Sequence, residues 1–348
     1  MPRAFMRTLF LVFALALIAA PVCYGQSPEL DPPKGSAPPS TTQGKPDGQG
    51  KIPTYRKNVN LVNVLFTVKD KHGVMVPNLS KDHFELMEDG KPQTIKYFSA
   101  LTDQPLTLGL LIDTSYSMNR TLPEEKVVAG GFLQKVLTEK DLAFVISFDV
   151  SVDLLQDLTN SNHLLRAGMD KARINTNTVG MAPMGRPGPV PTASSSNKGT
   201  LLFDAAYLAS NEVLGRQSGR KAMVILTDGE DQGSQLKLAD AIEAAQRADV
   251  VAYVLLITDP GFSSNYGDMN KLAEQTGGRV ITVSRPDKLD KAFSEISDEL
   301  RSQYTLGFTS TNAVNDGKFR RLQIKSKDGY KIQARKGYYP PNDMAASR

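Results

Sequence analysis

An α/β domain, doubly wound around a mostly parallel sheet and inserted into a small β-sandwich, is predicted by three features of the 348-residue sequence. Near-continuous apolar runs (LGLLI, LAFVI, AMVIL, VVAYVLLI) alternate with helical patterns through the middle of the chain. Strands apolar on both sides belong in a sheet covered on both faces. The flanks, 58–103 and 303–340, instead carry short strand patterns punctuated by Asp-Gly turns. Each flank is too small to form a sandwich alone, so the two ends are expected to pair with each other around the inserted domain.

Composition bounds the function classes. Apolar residues make up 40% and charged residues 22%, which excludes global disorder and a multi-span membrane protein. Lys+Arg 41 against Asp+Glu 37 leaves a net charge of only +4, with no basic block interleaved with aromatics. A nucleic-acid partner is therefore not expected.

Arg3 and Arg7 precede an uncharged apolar run from Thr8 to Ala20, followed by Pro21 to Gly25. This is the layout of a secretory signal peptide over 1–25, with cleavage after Gly25, and it is too short for a comfortable membrane span. Cleavage would leave no transmembrane span and would place the protein in the periplasm, the cell envelope or the extracellular space. It would also remove Cys23, the sole cysteine. Disulfides, thiolate nucleophiles, zinc–cysteine sites and iron–sulfur clusters are then closed to the mature chain. His72, His83 and His163 sit in polar settings with no second histidine at ligand spacing, as expected for solvated surface residues.

The stretch 26–57, rich in Pro, Gly, Ser, Lys and Gln, is expected to be a disordered linker. In the first flank, Val62, Val64, Phe66 and Val68 recur at a spacing of two, and His83 to Glu88 meets Asp89-Gly90 before continuing as Gln93 to Phe98. Strands of the inserted domain, 104–302, are expected at Leu106 to Ile112, Leu142 to Phe148, Val152 to Gln156 on an edge, Ala222 to Thr227, Val250 to Ile257 and Val280 to Val283. Helices are expected at Glu124 to Leu137, Asn162 to Arg173, Leu201 to Leu214, Leu236 to Ala248, Asp268 to Thr276 and Lys288 to Ser302. The closing flank offers strands at Tyr304 to Thr309, Phe319 to Ser326 and Tyr330 to Lys336, with Tyr304, Tyr338 and Tyr339 as sandwich core or rim, before a tail at 341–348. Within 174–199 lies a long insertion rich in Gly, Pro, Ser and Met, either a tolerated surface loop or a rim that shapes partner choice.

Ligands of doubly wound sheets bind beyond the carboxyl ends of the strands, where strand order reverses. There the first central strand ends in Asp113-Thr114-Ser115-Tyr116-Ser117, and alternation can turn Asp113, Ser115 and Ser117 toward one point. A later strand ends in Thr227-Asp228-Gly229-Glu230, and Gly199-Thr200 opens the helix between them. Glu230 and Asp231 are expected to form a solvated acidic turn. Two carboxylates and several hydroxyls are hard oxygen donors, which suit Mg²⁺, with Mn²⁺ or Ca²⁺ as alternatives, and disfavour zinc. With so few carboxylates the ion would keep excess positive charge and an open position, which would attract an Asp or Glu side chain of a partner protein.

The Asp113-x-Ser115-x-Ser117 pattern, with Thr200 and Asp228 in their places along an alternating α/β chain, resembles the metal-ion-dependent adhesion site of von Willebrand factor A domains. The flanking phrases DHFELMEDGKPQTIKYF and YTLGF…DGKFRRLQIKSKDGYKIQARKGYY are similar to the ends of the bacterial VWFA-related family described mostly from Acidobacteria. That resemblance implies an exported protein with a metal-dependent protein-binding face. It also implies that Ser115 and Ser117 ligate the ion directly, Thr200 does so in the ligand-competent state, and Asp113 and Asp228 act directly or through water.

A non-catalytic adhesion or assembly module is thus the leading expectation. A metal-dependent hydrolase or phosphatase is the alternative, weakened because Ser115 occupies the position where such enzymes usually carry a second carboxylate, and because no phosphate-binding Gly-rich loop is present. A structural envelope protein is the third reading.

Overall fold

The computed structural model describes residues 61–100, 104–174, 199–258 and 264–342. The expected signal peptide and linker, nearly all of the 174–199 insertion and most of the 341–348 tail lie outside the described residues. Every described residue falls in one unit, Lys57–Arg348. Among them, no helix is long and apolar enough to cross a membrane.

The chain opens with β1 (Leu61–Lys69), β2 (Phe84–Glu88), β3 (Lys91–Gln93) and β4 (Ile95–Ala100), and closes with β11 (Tyr304–Thr309), β12 (Arg320–Ser326), β13 (Lys331–Ala334) and β14 (Gly337–Tyr338). As the sequence predicts, the two ends interleave. One sheet runs β13-β1-β11-β4 and the other β14-β12-β2-β3. Alternate residues of β1 (Val62, Val64, Phe66, Val68) point into a core shared with Phe84, Leu86, Leu306, Phe308 and Leu322. Phe66 meets Phe84 edge-on at 5.1 Å between ring centroids and stacks on Tyr304 at 5.7 Å, geometries that aromatic quadrupoles favour. Tyr304 and Tyr338 are buried here, whereas Tyr339 sits at the rim under the Arg247 guanidinium, 4.2 Å from its ring centroid.

The structure departs from expectation at Gln93 to Phe98. That stretch is not one strand but two: β3 pairs with β2, β4 pairs with β11, and Thr94 separates them. The chain crosses from one sheet to the other here, and a corner between sheets needs only a local bend. The tight turn before it matches the sequence, with Asp89 at φ 48° and Gly90 at φ 78°, the pair of left-handed residues that a two-residue hairpin turn requires.

Between the flanks lie β5 (Leu106–Asp113), α1 (Leu122–Val136), β6 (Leu142–Phe148), β7 (Val152–Thr159), α2 (Asn162–Lys171), α3 (Leu202–Leu208), β8 (Arg220–Thr227), α4 (Leu238–Arg247), β9 (Val250–Ile257), α5 (Tyr266–Thr276), β10 (Val280–Val283) and α6 (Leu289–Arg301). The sheet order is β10-β9-β8-β5-β6-β7, parallel except for β7, which pairs antiparallel at the edge. Leu108, Leu110 and Ile112 of β5 face the core under α1, α2 and α6, and Leu111 faces the core under α3, α4 and α5. The helix expected from Leu201 to Leu214 is shorter. It gives way to a π-helical turn at Ala209–Val213, where the buried Ser210 hydroxyl donates to the Ala206 carbonyl at 2.8 Å, a back-bond that bends helices.

After β5 the chain winds outward to β6 and β7, then returns to build β8 on the other side of β5. The order therefore reverses between β5 and β8, and their carboxyl ends are where a doubly wound sheet leaves a crevice.

Candidate metal centre

Every residue of β5 is buried, Asp113 at its end included. The chain then turns sharply: Ser115 is extended (φ −62°, ψ 159°), and a short 3-10 turn, Tyr116–Arg120, leads into α1 with Pro123 in its first turn. Pro there costs no hydrogen bond and presets the helical φ.

The turn is organised around the Asp113 carboxylate. Its Oδ1 accepts from the Ser115 N–H at 2.9 Å, and its Oδ2 accepts from the Thr227 hydroxyl at 2.7 Å. Thr227 Oγ1 in turn accepts the Gly229 N–H at 3.0 Å. One hydroxyl thus ties the end of β8 to the end of β5. The Ser115 and Ser117 hydroxyls lie 3.0 Å apart. Asp228 is buried, and its Oδ1 accepts the Glu230 N–H at 3.1 Å.

Thr200 reaches the same place through its loop. Its carbonyl accepts the Gln232 N–H at 3.2 Å, in the segment following Asp228. The neighbouring Leu201 N–H donates to the Asp149 carbonyl at 2.8 Å, and the Asp149 carboxylate accepts the Thr114 hydroxyl at 3.1 Å. Thr200 is thereby tied to both the Asp113 turn and the Asp228 turn. Gly199 makes the approach possible, since a Cβ there would fall 2.6 Å from the Gly233 Cα. All five expected residues, Asp113, Ser115, Ser117, Thr200 and Asp228, lie on three loops held together at one end of the sheet.

Two carboxylates in this setting repel. Burial first, and then the charge of Asp228, push the Asp113 carboxyl up from 3.8 to about 7, against the opposing hydrogen bonds from Ser115 and Thr227. A hard dication would relieve that repulsion, and the oxygen-only donor set suits one. Among the described residues, no three or more His, Cys, Asp and Glu stand together at metal-ligand spacing. An ion here would depend on the serine and threonine hydroxyls as well as on the acids.

Three participants escape a reading of the sequence by motif. Thr227 reads as the last residue of a strand, although the preference of buried strand-end hydroxyls for a partner hints at its role. Asp231 is not part of a freely solvated acidic turn: its carboxylate accepts the Phe203 N–H at 3.2 Å and the Ser234 hydroxyl at 2.5 Å, and so caps α3. Glu125 is completely buried on α1, with neither carboxylate oxygen hydrogen-bonded. Its signal was in the spacing, since Leu122, Glu125, Ala129, Phe132 and Val136 form one i, i+3, i+7 stripe with an acid among the apolar residues. The histidines lie elsewhere, His83 pairing with Asp328 of the sandwich at 2.7 Å.

Residues 190–295 match the family model of the von Willebrand factor type A domain. The match includes Thr200 and Asp228, while Asp113, Ser115 and Ser117 lie upstream of it. No curated protein sequence matches the chain. Among solved structures, a von Willebrand factor type A protein from Catenulispora acidiphila is similar at 14% identity, with 84% of this chain and 78% of that chain covered and a TM-score of 0.47. Proximal thread matrix protein 1 from the mussel byssus, with a zinc-occupied MIDAS motif, is similar at 17% identity, with 60% and 49% covered and a TM-score of 0.46. The conserved hypothetical protein BatB from Bacteroides thetaiotaomicron is similar at 16% identity, with 57% and 100% covered and a TM-score of 0.42. The chain spans about half the length of the byssus protein. The family match over 190–295 takes in β8, β9 and β10 of the six-stranded sheet, so this part of the inserted α/β layer is similar to the von Willebrand factor type A domain.

Proposed function

We propose that this protein is an exported, non-catalytic binding module that captures an Asp or Glu side chain of a partner protein through a divalent cation. Ser115, Ser117 and Thr200 would hold the ion with their hydroxyls, and Asp113 and Asp228 with their carboxylates, directly or through water. Mg²⁺ is the ion we favour, with Mn²⁺ and Ca²⁺ as alternatives, because every donor is a hard oxygen. The observation that carries the reading is the buried Asp113, raised toward neutrality by burial and by Asp228, beside two serine hydroxyls 3.0 Å apart.

The charge count supports protein capture over catalysis. An acid reached through water screens a dication only weakly, so the ion would keep excess positive charge and an open position for an anionic group from outside. Ser115 has the Ser117 hydroxyl as its neighbour rather than a base that could activate it. Export to the periplasm, envelope or exterior is supported by the signal-like segment at 1–25.

The test is a pull-down from the native envelope with the wild-type chain and with Asp113→Ala, each with and without chelator. Binding should be lost in the variant and on chelation, with circular dichroism unchanged. A partner whose affinity ignores both treatments would falsify the mechanism. Mg²⁺-dependent turnover of generic phosphate esters, lost in Asp113→Asn, would instead favour a hydrolase.

A further inference from the structure

Glu125 occupies the first turn of α1, where an acid ordinarily faces solvent and favours the positive end of the helix dipole. Here it faces inward. Its exposure is 0%, and its companions on the stripe are Leu122, Ala129, Phe132 and Val136. Both of its oxygens lack a hydrogen-bond partner. The nearby Thr121 hydroxyl is committed to the Met118 carbonyl at 3.3 Å. The charges it feels are those of Asp113 and Asp228, and no cationic side chain offsets them. The carboxylate thus lies within electrostatic reach of the acid pair, in the first turn of the helix that follows the Asp113 turn.

A buried carboxylate in this position has two remedies. A proton removes the charge, but the resulting O–H has only the Thr121 hydroxyl at hand, and that hydroxyl is already turned to the Met118 carbonyl. A hydrated cation beside Asp113 and Asp228 supplies both opposite charge and donors, since its bound waters are strong hydrogen-bond donors.

We propose that Glu125 is a third acidic member of the cation site, accepting hydrogen bonds from cation-bound water behind Asp113 and Asp228. The inference rests on the metal-site reading above. Contact through water follows from the absence, among the described residues, of three acidic groups at direct-ligand spacing, and it matches the tendency of Mg²⁺ to keep several waters. Glu125 is thus a positioning residue. It fixes the inner part of the hydration shell and leaves the outward position for the partner.

Calorimetric titration of the full chain with Mg²⁺ and, separately, Mn²⁺ tests this. The proteins to compare are wild type, Ser117→Ala, Glu125→Gln and Glu125→Met, the last chosen because an apolar side chain suits its stripe and keeps the fold. Ser117→Ala should lose binding, and both Glu125 variants should bind about 10- to 100-fold more weakly, the usual effect of removing an outer-shell partner. Melting temperatures without cation should remain at or above the wild-type value. If wild type and the Glu125 variants bind alike while Ser117→Ala does not, Glu125 has no part in the site and the proposal is overturned, with the metal centre intact. If wild type binds neither ion, the metal centre and this inference fall together.

Discussion

Asp113 and Glu125 are two carboxyls whose folded-state pKa values, about 7 and about 8, lie well above their ordinary values of 3.8 and 4.5. Burial is the first cause in both. Across the interval between, the folded cation-free protein retains protons that the unfolded chain has released. Their contribution to stability is therefore fully present below the unfolded values and is lost as pH rises through 7 to 8. Each tenfold gain in proton affinity is equivalent to about 1.4 kcal/mol, so the effect amounts to a few kcal/mol. The melting temperature in chelator should fall from about pH 5 to about pH 8.5, and Asp113→Asn or Glu125→Gln should each flatten that slope. Mg²⁺ competes with the same protons, so the stabilisation it confers should grow over the same interval. A scanning-calorimetry series with and without Mg²⁺ reads both trends; parallel pH curves for the two conditions would separate these carboxyls from the cation. The acids of the Asp113 and Asp228 turns were legible because each follows an apolar strand run. Glu125 was not, because Glu124-Glu125 after Pro123 looks like an ordinary dipole-favouring helix start until the apolar stripe through it is counted.

Loops rather than strands decide whether the centre closes. The parallel strands β5, β6, β8, β9 and β10 were readable to within two residues, because strands buried on both faces cannot hide their apolar runs. What the sequence leaves open is how the connections meet, since contacts between loops depend on shape rather than periodicity. The crossing of Gly199 and Gly233 is the sharpest case: a Cβ on Gly199 would approach the Gly233 Cα to 2.6 Å and the Gln232 carbonyl oxygen to 2.9 Å, both backbone atoms. Gly199→Ala should therefore push apart the loops bearing Thr200 and Asp228. Overpacking of this kind costs about 1–3 kcal/mol, and Mg²⁺ affinity should drop by at least about tenfold, as when a ligand's support is removed. Calorimetric titration gives the answer, and an unchanged affinity would place Thr200 outside the coordination sphere. The split of Gln93 to Phe98 into β3 and β4 was hidden for a related reason. Alternation continues across Thr94, and nothing local marks the change of sheet.

On the scale of the whole molecule, the sandwich and the α/β domain share a charged joint, and the insertion of one within the other makes that joint part of folding. Glu299 of α6 is completely buried. It accepts from Lys69 of β1 at 2.7 Å, from Arg279 just before β10 at 2.5 Å, and from Gln333 of β13 at 3.2 Å. Two of those three donors come from the sandwich and one from the α/β domain. Around them, the Gln333 amide donates to the Gly277 carbonyl at 3.1 Å, the Lys336 N–H donates to the Gln275 carbonyl at 3.2 Å, and Arg335 of the C-terminal flank pairs with Asp249. Sequence could show that the flanks pair, because their apolar alternation says so, but not that one acid of the last helix would fasten them to the insert. A buried ion pair contributes little net stability compared with an apolar replacement, yet breaking one by removing a single partner is costly. Glu299→Ala leaves Lys69 without its anion and Arg279 with Glu295 alone, and should cost about 3–5 kcal/mol. Because the cost falls on the joint, urea unfolding should shift to a lower midpoint and separate into two steps, the sandwich aromatics reporting one and far-UV circular dichroism of the helices the other. The wild-type chain, with the joint intact, should unfold in a single step by both probes. A Glu299→Ala transition that stays single and keeps the wild-type midpoint would mean that apolar packing alone holds the two layers together, and the cation site on the far strand ends would then be mechanically independent of the sandwich.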